Sequence, residues 1–506
     1  MFARHAELLT AAQVGRIHER SLDVLEDVGV LVRNRKARER FAHFGCRVDR
    51  DAELVRFPRA VVEEFRAAIP TRFTFHARDE RYSKTIPDDA LVVATASSAP
   101  NLIDPDSGAE RRSRSDDIAR IGHLVNLLDG IDVFSISVLA DDAPADQFSL
   151  SRFYPALKNC AKPVRTSVID DREARQVMRL GSLVAGDEAA FRRRPFITFG
   201  YCAIVSPLTM DFDSTEMLMF YAEEGLPAYG TLAPIGGISA PLSMAGMLVQ
   251  SNAEWLAAAV LAQMSRLGTP LIYNHLPVIG DMRSGAYAAG AVETGILAMA
   301  LTQMARFYNV PAGSYLGLTN AKLGDAQAGY EKAMSPALAA AAGIDFVVMG
   351  GLLDALMEFD FGQLVIDNEI AQMLKRLRQH LSLGDVDATI DEIRAAGPAG
   401  MYVASPGTVA GMKTAAFLPT VADRERRELW HDQGATDAHG RALVRAKRLL
   451  SRPNPHVLPP EVDARVRAGL PAGLVAGDSV PAERWGSLDA GPARERRGRR
   501  RHAAAS

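Results

Sequence analysis

Eight short apolar runs, rich in β-branched residues, recur through the middle of the chain and constrain its fold more than any other feature. They recur about every 30 to 45 residues, and the segments between them have the Ala, Leu and Met content of helices. The runs cover residues 91–96, 131–138, 163–168, 196–205, 227–232, 270–275, 310–316 and 344–350. Strands separated by crossover helices form a parallel sheet. Eight such units predict an α/β fold of the (β/α)8 type, a TIM barrel.

The segments around this series differ in character, and together they predict four regions. Residues 1–88 are predicted to form a small N-terminal α/β cap and residues 89–362 the barrel. Residues 363–472 begin with a strongly amphipathic helix, which predicts a helical C-terminal region. Residues 473–506 are polar and end in a segment with six arginines, typical of a disordered basic tail, with nucleic-acid contact as the alternative.

Composition argues against several classes of protein. The net charge of −3 gives no general attraction to nucleic acid or to an anionic membrane, and no run of about 18 apolar residues predicts a membrane span. The three cysteines, Cys46, Cys160 and Cys202, lie far apart, which argues against a disulfide framework or a thiolate zinc site. Since the first residues do not form a recognisable signal peptide, we expect a cytoplasmic protein that binds neither nucleic acid nor membrane.

The motifs of several common catalytic mechanisms are missing from the sequence. The chain has no H-E-x-x-H, P-loop or G-x-S-x-G motif, and no G-x-G-x-x-G follows the first strand. No group of cysteines and histidines has the spacing of a metal site, so we expect no metal.

In a (β/α)8 barrel the active site lies at the C-terminal ends of the strands, and this rule selects the candidate residues. The stretch from Asn320 to Glu331 stands out, because it carries many polar side chains directly after the seventh strand. The candidates selected in this way are Tyr201, Tyr273, His275, Tyr315, Asn320, Lys322, Asp325, Gln327, Tyr330 and Glu331.

Several of these residues have structural interpretations that compete with a role in catalysis. A buried histidine bonded to a backbone carbonyl is an equal alternative for His275. Asp325 precedes a helix and is explained equally well as its N-cap. Glu331 lies in the first helical turn, where a carboxylate suits the helix dipole. Glu254 is a further anionic candidate, within the helix after the fifth strand.

Ordered blocks between residues 10 and 460 resemble the trimethylamine methyltransferase family. They include SLDVLEDVGV, SAPNLIDPDSG (98–108), VSPLTMD (205–211), APLSMAGMLVQSNAEWLAA (240–258), GDAQAGYEKA (324–333), LVIDNEI (364–370), GPAGMYVASPGT (397–408) and LPTVADRERRELW (418–430). The fold of this family is a (β/α)8 barrel, which agrees with the strand count.

The resemblance implies transfer of a methyl group from a methylated amine to the Co(I) corrinoid of a partner protein, with no cofactor bound tightly by this chain. Archaeal trimethylamine enzymes carry pyrrolysine near the segment that matches residues 320–333, where this chain has standard residues. It therefore resembles the non-pyrrolysine branch, some of whose members demethylate quaternary amines such as glycine betaine.

A quaternary ammonium departs as a neutral tertiary amine when it loses a methyl group, so the protein has to hold and orient a cation rather than move a proton. Under this interpretation the catalytic candidates are Asp325, Gln327 and Glu331. The substrate-binding candidates are Tyr201, Tyr273, Tyr315 and Tyr330 for a cation, and His275, Asn320 and Lys322 for a carboxylate.

Two alternatives to this interpretation stay open at the level of sequence. In the first, the same scaffold uses a folate or a thiol as methyl acceptor; in the second, the chain is a non-catalytic binding protein for methylated amines. Gly407 lies where many relatives are expected to have a histidine. If that histidine contacts substrate, the substrate site of this chain is changed, and the difference also favours the binding-protein alternative. We also expect a homo-oligomer.

Overall fold

The computed structural model describes residues 5–89, 91–379 and 386–471. The predicted basic tail, residues 473–506, lies outside these ranges. The first described region combines short strands with three helices. Its elements are α1 (Ala11–Asp23), β1 (Val30–Val32), α2 (Arg35–His43), β2 (Arg47–Asp49), β3 (Leu54–Arg56), α3 (Arg59–Ala67), β4 (Phe73–Phe75) and β5 (Lys84–Ile86).

The middle of the chain alternates strands with helices. Its first half comprises β6 (Val92–Thr95), β7 (Asn101–Ile103), β8 (Glu110–Arg112), α4 (Ser115–Asn126), β9 (Phe134–Ser135), α5 (Phe148–Asn159), β10 (Val164–Ser167), α6 (Asp171–Ala185), α7 (Glu188–Arg193), β11 (Ile197–Tyr201), β12 (Ile204–Val205), β13 (Thr209–Met210) and α8 (Asp213–Glu224). Its second half comprises β14 (Ala228–Gly230), β15 (Ile235–Gly236), α9 (Met244–Ser265), β16 (Tyr273–His275), β17 (Val278–Asp281), β18 (Ala286–Tyr287), α10 (Val292–Tyr308), β19 (Ala312–Tyr315), α11 (Ala326–Ala342), β20 (Phe346–Gly350), β21 (Leu352–Leu353) and β22 (Glu358–Phe359).

Each of the eight predicted runs contains one strand of a parallel sheet. The strands form two sheets of four, in the orders β14-β11-β10-β9 and β16-β19-β20-β6. The sheets adjoin at both edges, where single parallel bridges pair Ala94 with Val133 and Leu232 with His275. Strands β6, β19 and β20 are buried along their whole length, as expected of parallel strands covered on both faces.

A helix follows each of these eight strands and returns the chain to the next one. Several of the helices begin at a side-chain cap, for example α6 at Asp170 and α9 at Ser243. Helix α11 begins at Asp325 and ends at Gly343, whose φ of 92° lies in the left-handed region that glycine tolerates. Because parallel strands and their crossover helices run in opposite directions, all of these helix N-termini lie near the C-terminal ends of the strands.

The end of the described chain is helical. It comprises α12 (Phe361–Arg378), α13 (Val386–Ala396), α14 (Pro406–Gly411), α15 (Arg427–Asp432), α16 (Ala438–Leu450) and α17 (Pro460–Gly469). Helix α12 is largely buried, and His439 of α16 bonds the N-cap of α12, Asp360, at 2.8 Å. No helix among the described residues has the length and the apolar run that a bilayer crossing requires.

Candidate functional site

A cavity of about 450 Å³ lies at the C-terminal ends of the parallel strands, and it is called the mouth cavity below. Strand ends and the loops that follow them supply most of its wall. Its lining residues are Ser97, Ser98, Arg165, Ser167, Val168, Ile169, Gly200, Tyr201, Cys202, Ser214, Met217, Thr231, Ala233, Leu276, Tyr315 and Leu356.

The strongest charge in the mouth cavity is the guanidinium of Arg165, on strand β10. Arg165 is only 6% exposed, and its guanidinium lies 4.4 Å from the ring centre of Tyr229. A long contact of 3.5 Å joins Nη1 to Ser97 Oγ, and Nε has no hydrogen-bond partner. A buried guanidinium remains charged at neutral pH and has five N–H donors, so most of its hydrogen-bonding capacity is unused.

No carboxylate compensates this charge. Among the residues that the structure describes, no Asp or Glu forms an ion pair with Arg165, and none lines the mouth cavity. Buried charges in proteins are normally paired. The arrangement therefore suits an anionic group that arrives with a ligand.

Two glycines make room for the large side chains of this wall. A Cβ atom at Gly200 would lie 2.6 Å from Arg165 Nη2, and one at Gly230 would lie 2.5 Å from the ring of Tyr201. Since real Cβ atoms do not approach other atoms so closely, any larger residue at either position would displace the neighbouring side chain. Glycine at 200 and 230 thus fixes where the guanidinium and the phenol ring lie.

Tyr315 closes another side of the mouth cavity. Its hydroxyl lies 2.9 Å from Ser97 Oγ and 3.2 Å from Ser97 O, and it accepts a bond from Ser97 N at 3.3 Å. These contacts hold the ring at one orientation. Tyr201 and Tyr315 are the two predicted site residues that line this cavity.

Cys202 lies at the outer edge of the same cavity and is exposed. Its thiol contacts Ile204 O at 3.4 Å and Thr231 O at 3.3 Å. Although the residue as a whole is exposed, its sulfur is surrounded by protein, and this desolvation, with Asp211 and Glu254 nearby, raises the pKa of the thiol to about 11. The thiol is therefore neutral at physiological pH and is a poor nucleophile.

Tyr273 and His275 are on strand β16, but their side chains face helix α9 instead of the mouth cavity. The Tyr273 hydroxyl donates to Asn252 Oδ1 at 2.8 Å, and His275 Nε2 lies 3.3 Å from Ser251 O. Burial lowers the pKa of His275 to about 3, so the ring is neutral. Between them Asn274 points the other way and donates to Thr231 Oγ1 at 2.7 Å. The contacts of His275 are those of a structural histidine.

Asp325 is the N-cap of helix α11. Its Oδ1 accepts bonds from Gln327 N at 2.9 Å and Ala328 N at 3.3 Å. The side chain of Gln327 donates to Glu331 Oε1 at 2.9 Å. Tyr330 is 58% exposed. None of these four predicted residues lines the mouth cavity.

Glu331 ties the start of α11 to the loop that follows β19. Its Oε2 accepts bonds from Thr319 Oγ1 at 2.5 Å and from Asn320 N at 2.9 Å. The same loop pairs with the segment before β22, since Ala355 N donates to Thr319 O at 2.8 Å. The next residue, Leu356, lines the mouth cavity. Glu331 therefore lies one layer behind the wall.

Asn320 and Lys322 also make contacts within loops. Asn320 Nδ2 donates to Tyr287 O at 2.8 Å, and its Oδ1 accepts from Gly290 N at 3.1 Å. The exposed Lys322 pairs with Asp354 at 3.0 Å. Neither side chain reaches the mouth cavity.

The remaining sequence candidates have structural contacts as well. Glu254 is fully buried, and its carboxylate accepts bonds from Ser206 Oγ at 2.7 Å and Leu208 N at 2.9 Å. Gly407 is in the first turn of α14, where its N–H donates to Glu392 at 3.2 Å, and it does not line the mouth cavity.

Sequence reasoning did not single out Arg165, although a signal was present. The run PVRTSV is otherwise free of charge, and an arginine in the middle of a buried parallel strand is rare unless it is paired or functional. Ser97 and Ser98, which follow the first strand, were missed because serine at a strand end has no distinctive chemistry. Within the described ranges, no three or more His, Cys, Asp or Glu side chains form a group able to hold a metal ion.

Comparisons with known proteins identify the family of the chain and several relatives. Residues 2–470 match the family model described as trimethylamine methyltransferase (MTTB). The chain is 30% identical to the glycine betaine methyltransferase of Desulfitobacterium hafniense strain Y51, over 91% of this chain and 96% of the relative. It is 28% identical to the trimethylamine methyltransferase MttB of D. hafniense strain DCB-2, over 89% of this chain and 91% of the relative.

Among solved structures, the monomethylamine methyltransferase of Methanosarcina barkeri has a similar fold. The structural alignment covers 92% of this chain and 93% of that chain, with a TM-score of 0.50 and 12% sequence identity. At that identity the likeness concerns the fold alone. The family model, by contrast, matches residues 2–470, which include nearly all of the described residues. The chain therefore belongs to the trimethylamine methyltransferase family.

Proposed function

We propose that this protein transfers a methyl group from a quaternary amine that also carries a carboxylate, a betaine, to the corrinoid of a partner protein. The single observation that carries the proposal is Arg165, a buried guanidinium without a carboxylate partner in the mouth cavity. The names of the relatives, which include a glycine betaine methyltransferase, support the choice of substrate.

In this proposal Arg165 binds the carboxylate of the substrate. Its planar fork matches two carboxylate oxygens, and charge-assisted bonds of this type are about twice as strong as neutral ones. A simple methylated amine has only positive charge and would be repelled by the guanidinium. A betaine places its negative end on Arg165 and keeps its ammonium group away from it.

Tyr201 and Tyr315 line the same cavity, and in this proposal their rings hold the methylated ammonium. A cation near the face of an aromatic ring gains about 0.5–2 kcal/mol, with the larger values in desolvated sites. Because Ser97 holds the Tyr315 hydroxyl and Gly230 admits the Tyr201 ring, both faces are placed before the substrate arrives. This preorganisation lowers the entropic cost of aligning the methyl group.

The composition of the cavity wall agrees with a reaction that moves no proton. No Asp, Glu or His is among the lining residues in the described part of the chain. When a quaternary ammonium loses a methyl group, the electron pair of the C–N bond stays on nitrogen, and the product is a neutral amine. The corrinoid of the partner would supply a Co(I) nucleophile for the methyl carbon. The exposed Ile169 and Cys202 at the outer edge leave an approach from solvent.

We further propose that the two adjoining sheets act as one (β/α)8 barrel, spanning residues 89–362 between an N-terminal cap and a helical C-terminal region. In that arrangement Asp325, Gln327 and Glu331 stabilise the loop behind the cavity wall. Tyr273 and His275 anchor strand β16 to helix α9. These residues then influence the reaction by position, without contact to the substrate.

The proposal is tested with purified protein, Co(I) cobalamin and a panel of methylated amines. Glycine betaine and choline both carry a trimethylammonium group, but glycine betaine has a carboxylate where choline has a hydroxyl-bearing carbon. We expect Co(I) to be consumed with glycine betaine and much more slowly with choline, measured by absorbance. Faster reaction with choline or trimethylamine would refute the carboxylate assignment. Tight betaine binding without any demethylation would support a binding protein instead.

A further inference from the structure

Lys332, in helix α11, is a lysine whose side chain is completely buried. Its ammonium donates to three backbone carbonyls, Gly317 O at 2.7 Å, Leu352 O at 2.9 Å and Met349 O at 3.2 Å. These carbonyls belong to the loop after β19, to β21 and to the last residues of β20. One buried ammonium therefore joins two neighbouring strand ends to helix α11.

Asp367, in helix α12, compensates this charge and is completely buried as well. Its Oδ2 lies 3.2 Å from Lys332 Nζ and accepts a bond from Gly351 N at 2.7 Å. Its Oδ1 accepts from Gln363 Nε2 at 2.8 Å. Lys332 and Asp367, called the buried pair below, thus connect the loop after β20 to both helices.

The contacts of the buried pair lie directly behind two parts of the mouth-cavity wall. Tyr315, which lines the cavity, comes two residues before Gly317, and Leu356, which also lines it, comes four residues after Leu352. Gly317 has a φ of 59°, in the left-handed region, and a Cβ atom there would lie 2.7 Å from Met349 Cβ. The chain turns tightly at the carbonyl that the ammonium holds.

Glu331, the residue before Lys332, holds the same loop further along. Its Oε2 accepts bonds from Thr319 Oγ1 and from Asn320 N. Two adjacent residues of α11 therefore fix the loop at both ends, with Lys332 bound at its start and Glu331 two to three residues later. This loop begins directly after the strand end that carries Tyr315.

Lys162 is a second buried lysine with the same kind of contacts, at the other end of the parallel strands. It is 5% exposed and donates to Ile131 O at 2.6 Å, Val125 O at 2.8 Å and Leu128 O at 2.9 Å. Because Lys162 precedes β10, it lies at the N-terminal ends of the strands and away from the mouth cavity. The loss of a buried ammonium can therefore be compared at two positions.

We propose that Lys332 and Asp367 are positioning residues of the mouth cavity, which hold the loops after β19 and β20 so that Tyr315 and Leu356 keep their places in its wall. The buried pair acts through these loops, since neither of its residues lines the cavity. Its effect on the reaction rests on the proposed function, whereas the placement of Tyr315 is measured without any reaction.

The test uses the double variant Lys332→Met/Asp367→Leu, with Lys162→Met as the matched control. Replacement of a buried ion pair by apolar residues of similar volume is often neutral or stabilising, so the double variant is expected to fold. The carbonyls at Gly317 and Leu352 nevertheless lose their common donor. Thermal unfolding of all three proteins separates effects on stability from effects on the cavity wall.

The first readout is fluorine NMR of protein labelled with fluorotyrosine, in which the Tyr315→Phe variant identifies the Tyr315 resonance. We expect this resonance to shift or broaden in the double variant and to stay unchanged in Lys162→Met. The second readout is Co(I) consumption with glycine betaine. We expect kcat to decrease about tenfold in the double variant with a smaller change in KM, because misalignment lowers the rate of methyl transfer, and both constants to stay within about twofold in Lys162→Met.

An unchanged Tyr315 resonance in the double variant, or an equal change in Lys162→Met, would overturn the proposal whatever the substrate is. Unaltered kcat in the double variant, or a loss of activity that follows stability equally in both variants, would overturn the effect on the reaction. If the unchanged protein consumes no Co(I) with glycine betaine, the proposed function fails and the Tyr315 resonance alone decides. If the double variant does not unfold cooperatively, Asp367→Asn replaces it and is judged by the same outcomes.

Discussion

Replacing Arg165 is the perturbation that separates carboxylate recognition from every other role of the mouth cavity. In Arg165→Met a flexible apolar side chain of similar length takes the place of the guanidinium. The carboxylate of a betaine then enters the cavity without a partner, because no other cation is among the described lining residues. Choline has no carboxylate, so the substitution removes no ion pair from its binding.

The expected magnitude follows from the burial of the guanidinium. Arg165 is 6% exposed, so solvent provides little compensation for a lost pair. Hydrogen bonds to charged groups contribute about 1.5–3 kcal/mol each, and truncation of one partner of a desolvated pair costs about 2–5 kcal/mol. A loss of about 3 kcal/mol corresponds to about a 150-fold decrease in kcat/KM for glycine betaine.

The assay is Co(I) consumption at several concentrations of glycine betaine and of choline, for the unchanged protein and for Arg165→Met. The variant should lose most of its preference for glycine betaine, and Arg165→Lys should retain part of it. Equal losses for both substrates would show that Arg165 shapes the cavity without recognising the carboxylate, and unchanged kinetics would refute its role altogether. Because the buried guanidinium lacks a counter-ion, we also expect Arg165→Met to unfold at a temperature no lower than the unchanged protein.

Four further predictions concern the same wall and its supports. Gly200→Ala should displace the guanidinium, given the 2.6 Å approach to Nη2, and should lower kcat/KM for glycine betaine more than for choline. The rate of Co(I) consumption should be constant between about pH 6 and pH 9, since no Asp, Glu or His is among the described lining residues and the Cys202 pKa is about 11. A bell-shaped profile would contradict a proton-free reaction. Asp325→Ala should cost about 1 kcal/mol of stability through the lost N-cap and leave activity within twofold, as measured by denaturant unfolding and by kinetics. A hydrogen bond to Asp360, with Asp437 nearby, raises the pKa of His439 above its ordinary value of 6.5, so the ion pair stabilises the fold fully below pH 6.5 and less as the pH rises through the raised pKa. The difference in unfolding temperature between the unchanged protein and His439→Gln should therefore shrink as the pH rises. A difference that stays constant with pH would count against the ion pair.

The sequence predicted the eight parallel strands because most of their residues are buried, so that each strand lies in a short, mostly apolar run. The rule that active sites lie at the C-terminal strand ends then selected Tyr201 and Tyr315, which line the mouth cavity. The same rule selected Tyr273 and His275, which face helix α9. A strand that is covered on both faces has apolar residues on both, so its sequence lacks the alternation of apolar and polar residues that would show which side chains point inward.

The polar stretch after the seventh strand illustrates a second limit of sequence reasoning. These residues follow a cavity-lining strand end closely in the sequence, yet Glu331 and Asn320 form their hydrogen bonds with neighbouring loops. Whether a polar side chain faces a cavity or satisfies the backbone depends on loop geometry, which composition does not determine. Arg165 escaped notice for the opposite reason, because the run around it has the composition of a core strand.

The identity and amount of the demethylated product show whether the protein demethylates a betaine in preference to other quaternary amines. Purified protein is incubated with Co(I) cobalamin and either glycine betaine or choline, and the amines are quantified by mass spectrometry. We expect one dimethylglycine for each Co(I) consumed and little dimethylaminoethanol from choline. Equal demethylation of the two amines, or consumption of Co(I) without dimethylglycine, would contradict this expectation.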